Sequence, residues 1–325
     1  MALGALGGCA GPSTEPAPAA DASAGVADRT LGSARASDAG SHAATVAPDA
    51  GQPDVSAPDA GVAGQAADRS APCPPDMVLV AGQYCPGVAH KCIDHHDEYD
   101  RAMERRERRR QAGEEVSVRM NESERCLRYA EPAVCVSKKR RPMRLCMDRY
   151  EWPNRKGELP PTLHTWHDAV AKCKGVGKRL CTADEFNFAC EGEQMLPYPY
   201  GFARDASKCN IDRPYIKREK NPKRWDACQA DPECKAEFDR LDQRVPAGSM
   251  PGCVSPFGVY DLTGNVNEWV TRPGEEPPHR SGLKGGWWGP VRCRCRPMTT
   301  FHPEEDWGYE AGFRCCADAQ AAPAM

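Results

Sequence analysis

The cysteines constrain this chain more than any other feature. It carries 18 in 325 residues, none of them between Cys9 and Cys73, while the rest run from Cys73 to Cys316. That density points to an oxidising compartment and to a fold held by disulfides. It also divides the chain: the part after Cys73 is stapled, and the part before it is not.

The unstapled part reads as a tether. Residues 10–72 are dominated by Ala, Pro, Gly, Ser and Asp, and Asp-Ala-Gly recurs at 38–40, 49–51 and 59–61. So little apolar surface cannot offset the entropy of ordering, so the expectation is a flexible spacer that lifts a domain off a surface. Ahead of it, Leu6-Gly7-Gly8-Cys9 resembles a bacterial lipobox with Cys9 as the acylated residue. The apolar run before Cys9 is shorter than the ~7–15 residues of a signal core and has no Lys or Arg before it, which a start site placed too late would explain. The expected location is therefore the bacterial cell envelope, lipid-anchored at the outer membrane or surface, or secreted. No later run of ~20 apolar residues could span a membrane. The net charge of −3 gives no bulk attraction for nucleic acid.

Two helices are legible from their caps. Thr165 followed three residues later by Asp168 predicts a helix to about Cys173, ended by Gly175; Thr182 with Glu185 predicts a second, stopped by Gly192. Met77–Val80 reads as a short strand before a Gly turn. The block 101–115 reads as a solvated, charged helix with Glu104 and Arg108 at i,i+4. His95-His96-Asp97-Glu98 reads as loop, because consecutive residues point in different directions. His164 and His167 lack a third ligand for zinc or iron.

Five segments in order then resemble the formylglycine-generating enzyme (sulfatase-modifying factor) family. They are Cys146–Asn154, Gly177–Glu185, Tyr198–Gly201, Phe257–Trp269, and Lys284–Gly286 with Gly312–Arg314. The block Tyr-Asp-Leu-Thr-Gly-Asn-Val-Asn-Glu-Trp is the most specific. The resemblance implies an α+β, C-type-lectin-like fold, low in regular secondary structure and disulfide-rich. The domain is expected over 73–316, with insertions at about 95–140 and 212–243 and a tail at 317–325.

It further implies a structural calcium site from Asp261, Gly264, Val266 and Glu268, since oxygen ligands in a tight turn suit a hard cation. A second would use Asn210, Ile211, Asp239 and Leu241. The resemblance pairs Cys173 with Cys315. The family partner of Cys190 falls near Thr300, so that bridge is expected to be rewired to Cys293 or Cys295. Cys228 and Cys234 could close a small loop in the later insertion.

The family's enzymes bind Cu(I) through two cysteines five residues apart. Counting from Gly285-Gly286, Trp287 stands at the family's serine, Pro290 at the first copper cysteine and Cys295 at the second. Copper is therefore not expected. The candidate catalytic pair that remains is Cys293 and Cys295. A non-haem iron chemistry known from a relative of the family draws its ligands from a helical domain without a counterpart in this sequence.

Three functions follow. The favoured one is an envelope-displayed, calcium-stabilised binding or structural module without formylglycine-generating activity, whose ligand is a peptide, protein or glycan. Trp287, Trp288 and Trp307 would form its aromatic contact surface. The alternatives are a formylglycine-generating oxidase acting on a sulfatase cysteine, and a divergent copper or non-haem iron oxidase.

Overall fold

The computed structural model describes residues 71–114, 126–219, 230–289 and 292–320. Cys9, expected as a lipobox cysteine, residues 10–70 of the expected tether, Cys228 and Pro290 lie outside them. No helix among the described residues is long and apolar enough to cross a membrane.

Among the described residues twelve strands and four helices follow one another: β1 (Met77–Tyr84), β2 (Val88–Ala89), β3 (Cys92–His95), α1 (Asp97–Gln111), β4 (Cys126–Tyr129), β5 (Val134–Cys135), β6 (Arg141–Asp148), α2 (Trp166–Gly175), β7 (Arg179–Leu180), α3 (Ala183–Glu191), α4 (Pro232–Leu241), β8 (Asn267–Thr271), β9 (Ser281–Lys284), β10 (Met298–Thr299), β11 (Ala311–Phe313) and β12 (Cys315–Asp318). One four-stranded sheet has the order β1-β6-β12-β7 and is antiparallel throughout. The other has the order β10-β9-β8-β11, with β11 parallel to β8. Two ribbons, β2–β5 and β3–β4, carry the earlier insertion.

Both predicted caps form as capping boxes. Thr165 Oγ1 accepts from the Asp168 amide at 3.0 Å, and Asp168 Oδ2 accepts from the Thr165 amide at 2.9 Å. Thr182 and Glu185 do the same at 3.3 and 2.8 Å. Gly192 ends α3 at φ +63°, while α2 runs on to Gly175 and is capped by Val176. The strand β1 does not stop at a Gly turn. It continues through Gly82, whose missing Cβ leaves room for Glu193: a Cβ there would sit 2.6 Å from the Glu193 carboxylate. That carboxylate accepts the next amide, Gln83 N, at 2.6 Å.

The main core lies between the first sheet and α3. Val78, Val80, Tyr84, Leu145 and Met147 meet Phe186, Phe188 and Ala189 there, with Val259, Leu262 and Val270 closing it. A second core packs α2 against the other sheet through Trp166, Ala169, Trp269, Leu283 and Phe313. Seven disulfides join described residues: Cys73–Cys146, Cys85–Cys135, Cys92–Cys126, Cys173–Cys315, Cys181–Cys316, Cys190–Cys295 and Cys209–Cys253. Cys85–Cys135 and Cys92–Cys126 fasten both ends of the earlier insertion. Cys173–Cys315 and Cys181–Cys316 tie α2 and β7 to the last strand. Cys173 thus has the partner that the family resemblance implies.

Candidate functional site

Gly285 and Gly286 follow β9 at φ +81° and +77°. A Cβ on Gly286 would sit 2.9 Å from the Cys293 backbone, so only glycine lets the two ends of the loop 287–292 meet. The loop closes on itself. The Cys293 thiol donates to the carbonyls of Trp287 at 3.1 Å and Gly289 at 3.3 Å. Cys295 N donates to Pro197 O at 3.0 Å, and its sulfur is bonded to Cys190.

This corrects the candidate catalytic pair. Cys295 is a fully buried half-cystine, so it presents no thiolate to a metal or a substrate. Cys293 is a buried thiol outside all seven bridges, packed with Cys209, Cys253 and Ile211. Cys190 finds its partner five residues earlier than the ungapped position at Thr300. Cys295 therefore serves as a structural half-cystine.

The aromatic contact surface is corrected at Trp288. Trp288 is fully buried and packs with Val266, Tyr309, Phe238 and Leu241, the last two from α4. Trp287 lies edge-on to Trp288 and Tyr309, at centroid distances of 5.3 and 5.8 Å. Trp307 is half-buried against Phe238 at 6.0 Å. Arg213 N, from the start of the later insertion, donates to Trp288 O at 2.8 Å. The insertion therefore lies over the tryptophan pair. Burial of such large rings releases far more free energy than leaving them as an exposed platform, and sequence alone gave no partner to cover them. Cys234 of α4 is disulfide-bonded.

The turn 261–268 is a buried hub. Asp261 and Asn265 adopt φ +59° and +56°, and Gly264 adopts φ +80°. A Cβ on Gly264 would sit 2.3 Å from Asn210 O. Asn265 Nδ2 donates to Glu151 Oε2 at 2.7 Å, and its Oδ1 accepts from Asn210 Nδ2 and from Val245 N. Glu268 and Arg314 form a buried bidentate pair, both contacts 2.6 Å. Asp261 Oδ2 accepts from Gly248 N at 2.7 Å.

Burial lifts all three carboxylates. Asp261 is pushed up to about 6, and Glu268 is raised by burial against the pull of Arg314. Glu151 is raised well above the carboxylate range by burial and by its neighbours Asp261 and Glu268. Glu151 Oε1 has no hydrogen-bond partner among the described residues. Three buried carboxylates thus face one guanidinium. In charge and in oxygen chemistry this turn fits a hard divalent cation, with Asp261, Glu268 and the carbonyls of Gly264 and Val266 as the donors. Geometrically, both Glu268 oxygens are already engaged by Arg314. No cluster of three or more His, Cys, Asp or Glu able to hold a metal converges among the described residues.

The second calcium set does not converge. Asn210 and Ile211 are buried beside Gly264, and Leu241 is buried in the aromatic cluster. Asp239 stands on the exposed side of α4, paired with Lys235 at 2.6 Å. Asn210 Oδ1 is already taken by Arg213 Nε at 2.8 Å. With the Asp239 carboxylate held at Lys235 and Asn210 Oδ1 at Arg213, neither side-chain oxygen of the set is turned to a common centre. His95 ends β3 and stacks on Tyr99; His164 lies edge-on to Phe313.

The Sulfatase-modifying factor enzyme 1-like domain (FGE-sulfatase) matches residues 65–319. The chain belongs to this family. Among curated proteins it is 31% identical over 174 residues to "Inactive C-alpha-formylglycine-generating enzyme 2" of Bos taurus, covering 51% of this chain and 52% of that protein. It is 27% identical over 181 residues to "Formylglycine-generating enzyme" of Bos taurus, covering 49% and 44%. The chain spans about half the length of the curated relatives it matches. The solved structure of PvdO from Pseudomonas aeruginosa aligns with 16% identity and a TM-score of 0.43, over 74% of this chain and 94% of that one.

Sequence reasoning missed two buried groups. Lys284 is 1% exposed, with Nζ donating to Arg296 O at 2.7 Å, and burial pulls its pKa down to about 7. Glu151 lies inside the Cys146–Asn154 segment, where only its place in the family pattern was visible. Nothing local marks either as buried.

Proposed function

We propose that this chain is a non-catalytic member of the family, a calcium-stabilised binding or structural module displayed on the bacterial cell envelope. The observation that carries the reading is the Cys190–Cys295 bridge. It takes the sulfur that an ungapped count assigns to copper. The burial of Trp288 and the cover of α4 support it by filling the adjoining space. Two of the curated relatives, from Bos taurus and Mus musculus, are themselves named inactive.

Calcium belongs to the reading through Asp261, Glu268 and the carbonyls of Gly264 and Val266, and copper does not. Display rests on the sequence: Cys9 as the lipid anchor, residues 10–72 as the spacer, and a cysteine-rich domain that requires export. The ligand is a peptide, protein or glycan. With Trp288 buried, only Trp287 and Trp307 keep exposed surface for such a contact.

The test loads the full chain with Cu(I), supplies a sulfatase-type cysteine peptide under oxygen, and follows the peptide by mass spectrometry. The expected result is unchanged cysteine. Conversion to formylglycine above a no-protein control overturns the non-catalytic reading. Thermal melts in Ca²⁺ and in chelator test the metal separately. A midpoint that rises with Ca²⁺ supports it, and identical midpoints remove calcium from the proposal.

A further inference from the structure

We propose that a cavity beside α2 is a binding site for a small carboxylate carrying an apolar or aromatic body. The cavity has a volume of about 470 Å³, and its lining comes from α2, β7, the start of α3, Thr271 and Arg280. None of these residues belongs to the loop 286–295 or to the turn 261–268, so the site is separate from those already described. The volume lies within the range of roughly 300–1,000 Å³ typical of small-molecule pockets.

The floor is apolar. Trp166, Val170 and Lys174 are spaced i, i+4 and i+8 on α2, so they form one stripe along the helix. Leu180 of β7 lies opposite them. Trp166 and Leu180 are each 5% exposed, and both are fixed by the second core. That gives a rigid surface against which an apolar body can lie.

The charges are what choose the ligand. Four cations line the cavity, against one carboxylate, Glu185. Two of them are fully committed: Arg179 to Glu185 and Asp318, and Lys178 to Asp76 and Asp148. Arg280 stacks 4.8 Å over the Trp166 ring and gives Nε and Nη2 to Glu304, while its Nη1 makes no hydrogen bond among the described residues. Lys174 is exposed and has no ion-pair partner among the described residues. The indole N–H of Trp166 is buried without an acceptor there. Three of the four cations are neutralised by their carboxylate partners, so the lining offers the Lys174 ammonium and the remaining N–H edge of Arg280 beside an apolar floor. An amphipathic anion satisfies both features, whereas a cation leaves the donors unmatched and a purely polar anion leaves the apolar floor uncovered.

The test uses 4-phenylbutyrate and its uncharged amide as probes, titrated calorimetrically into the disulfide-intact chain. The expected result is saturable binding of the carboxylate in the high-micromolar to millimolar range. The amide binds more weakly. Lys174→Glu weakens the carboxylate about fivefold, as one partly exposed charge contact does, and leaves the amide unchanged. Lys174→Arg keeps the affinity, and because residue 174 is exposed these variants keep the fold. Val170→Trp, which fills the floor, abolishes binding of both probes. Equal affinity for carboxylate and amide, an unchanged Lys174→Glu, or no saturable binding of the carboxylate overturns the proposal.

Discussion

Lys284 offers the sharpest quantitative test of the fold. Its ammonium is enclosed by the main core, 5.7 Å from the centre of the Phe186 ring, with Arg296 O as its hydrogen-bond acceptor. Burial first, and the nearby Arg296 charge second, pull its pKa from 10.5 down to about 7, while Glu191 and Asp184 act in the opposite direction. A lysine whose native pKa lies below its unfolded value favours folding more as pH rises, because the unfolded chain holds the proton longer. At pH 7 the charged unfolded lysine therefore costs the native state about 4 kcal/mol, and at pH 9 about 2 kcal/mol. Lys284→Met keeps the apolar stem and removes the titration. It leaves the Arg296 carbonyl without that donor, at a cost of about 2 kcal/mol. Urea unfolding at pH 7, 8 and 9, with disulfides intact, should show the variant about 2 kcal/mol more stable at pH 7 and level with the parent at pH 9. If the difference stays constant within about 0.5 kcal/mol across that range, the ammonium is hydrated or titrates normally, and the reasoning fails.

Three further outcomes can be checked together. Gly264→Ala forces a side chain into φ +80° and against Asn210 O; it should cost about 3 kcal/mol or more in urea unfolding, from the backbone strain and the displaced turn. Glu268→Gln uncouples the carboxylate from the buried Arg314 guanidinium; a loss of about 3–5 kcal/mol is expected by the same assay, and a loss under about 1 kcal/mol would show that water reaches the pair. Replacing Cys190 and Cys295 together by Ala removes a bridge between positions 105 residues apart; the melting midpoint should fall by an amount corresponding to about 2–5 kcal/mol, and an unchanged midpoint would show that the loop is held by other contacts.

How far the sequence could be read differs from one feature to the next. The capping boxes at Thr165 and Thr182 were legible because each involves residues three apart, whose contacts a single helical turn fixes. Gly82 misled because a glycine in an extended strand looks like a glycine in a turn until Glu193 is brought beside it. The sequence narrowed the partner of Cys190 to Cys293 or Cys295. The choice depended on which of the two the chain brings beside Cys190, and residues two apart in an irregular segment do not reveal that. Trp287 and Trp288 read equally well as surface or core, since adjacent aromatics have no periodicity.

The sequence by itself determined the family, a cysteine content that calls for a disulfide-rich fold, and the two capped helices. These are local or compositional properties, carried by residue type and short spacing. Only the tertiary structure decided that Cys295 is locked in a disulfide and that Trp288 is core beneath α4. It also decided that Lys284, Glu151 and Arg314 are charges enclosed far from water, and that the stripe of α2 faces a cavity. Each of these depends on segments separated along the chain meeting, or on a helix turning one face inward. The free energy of a buried charge or a covered ring is set by those neighbours rather than by the residue's own place in the chain.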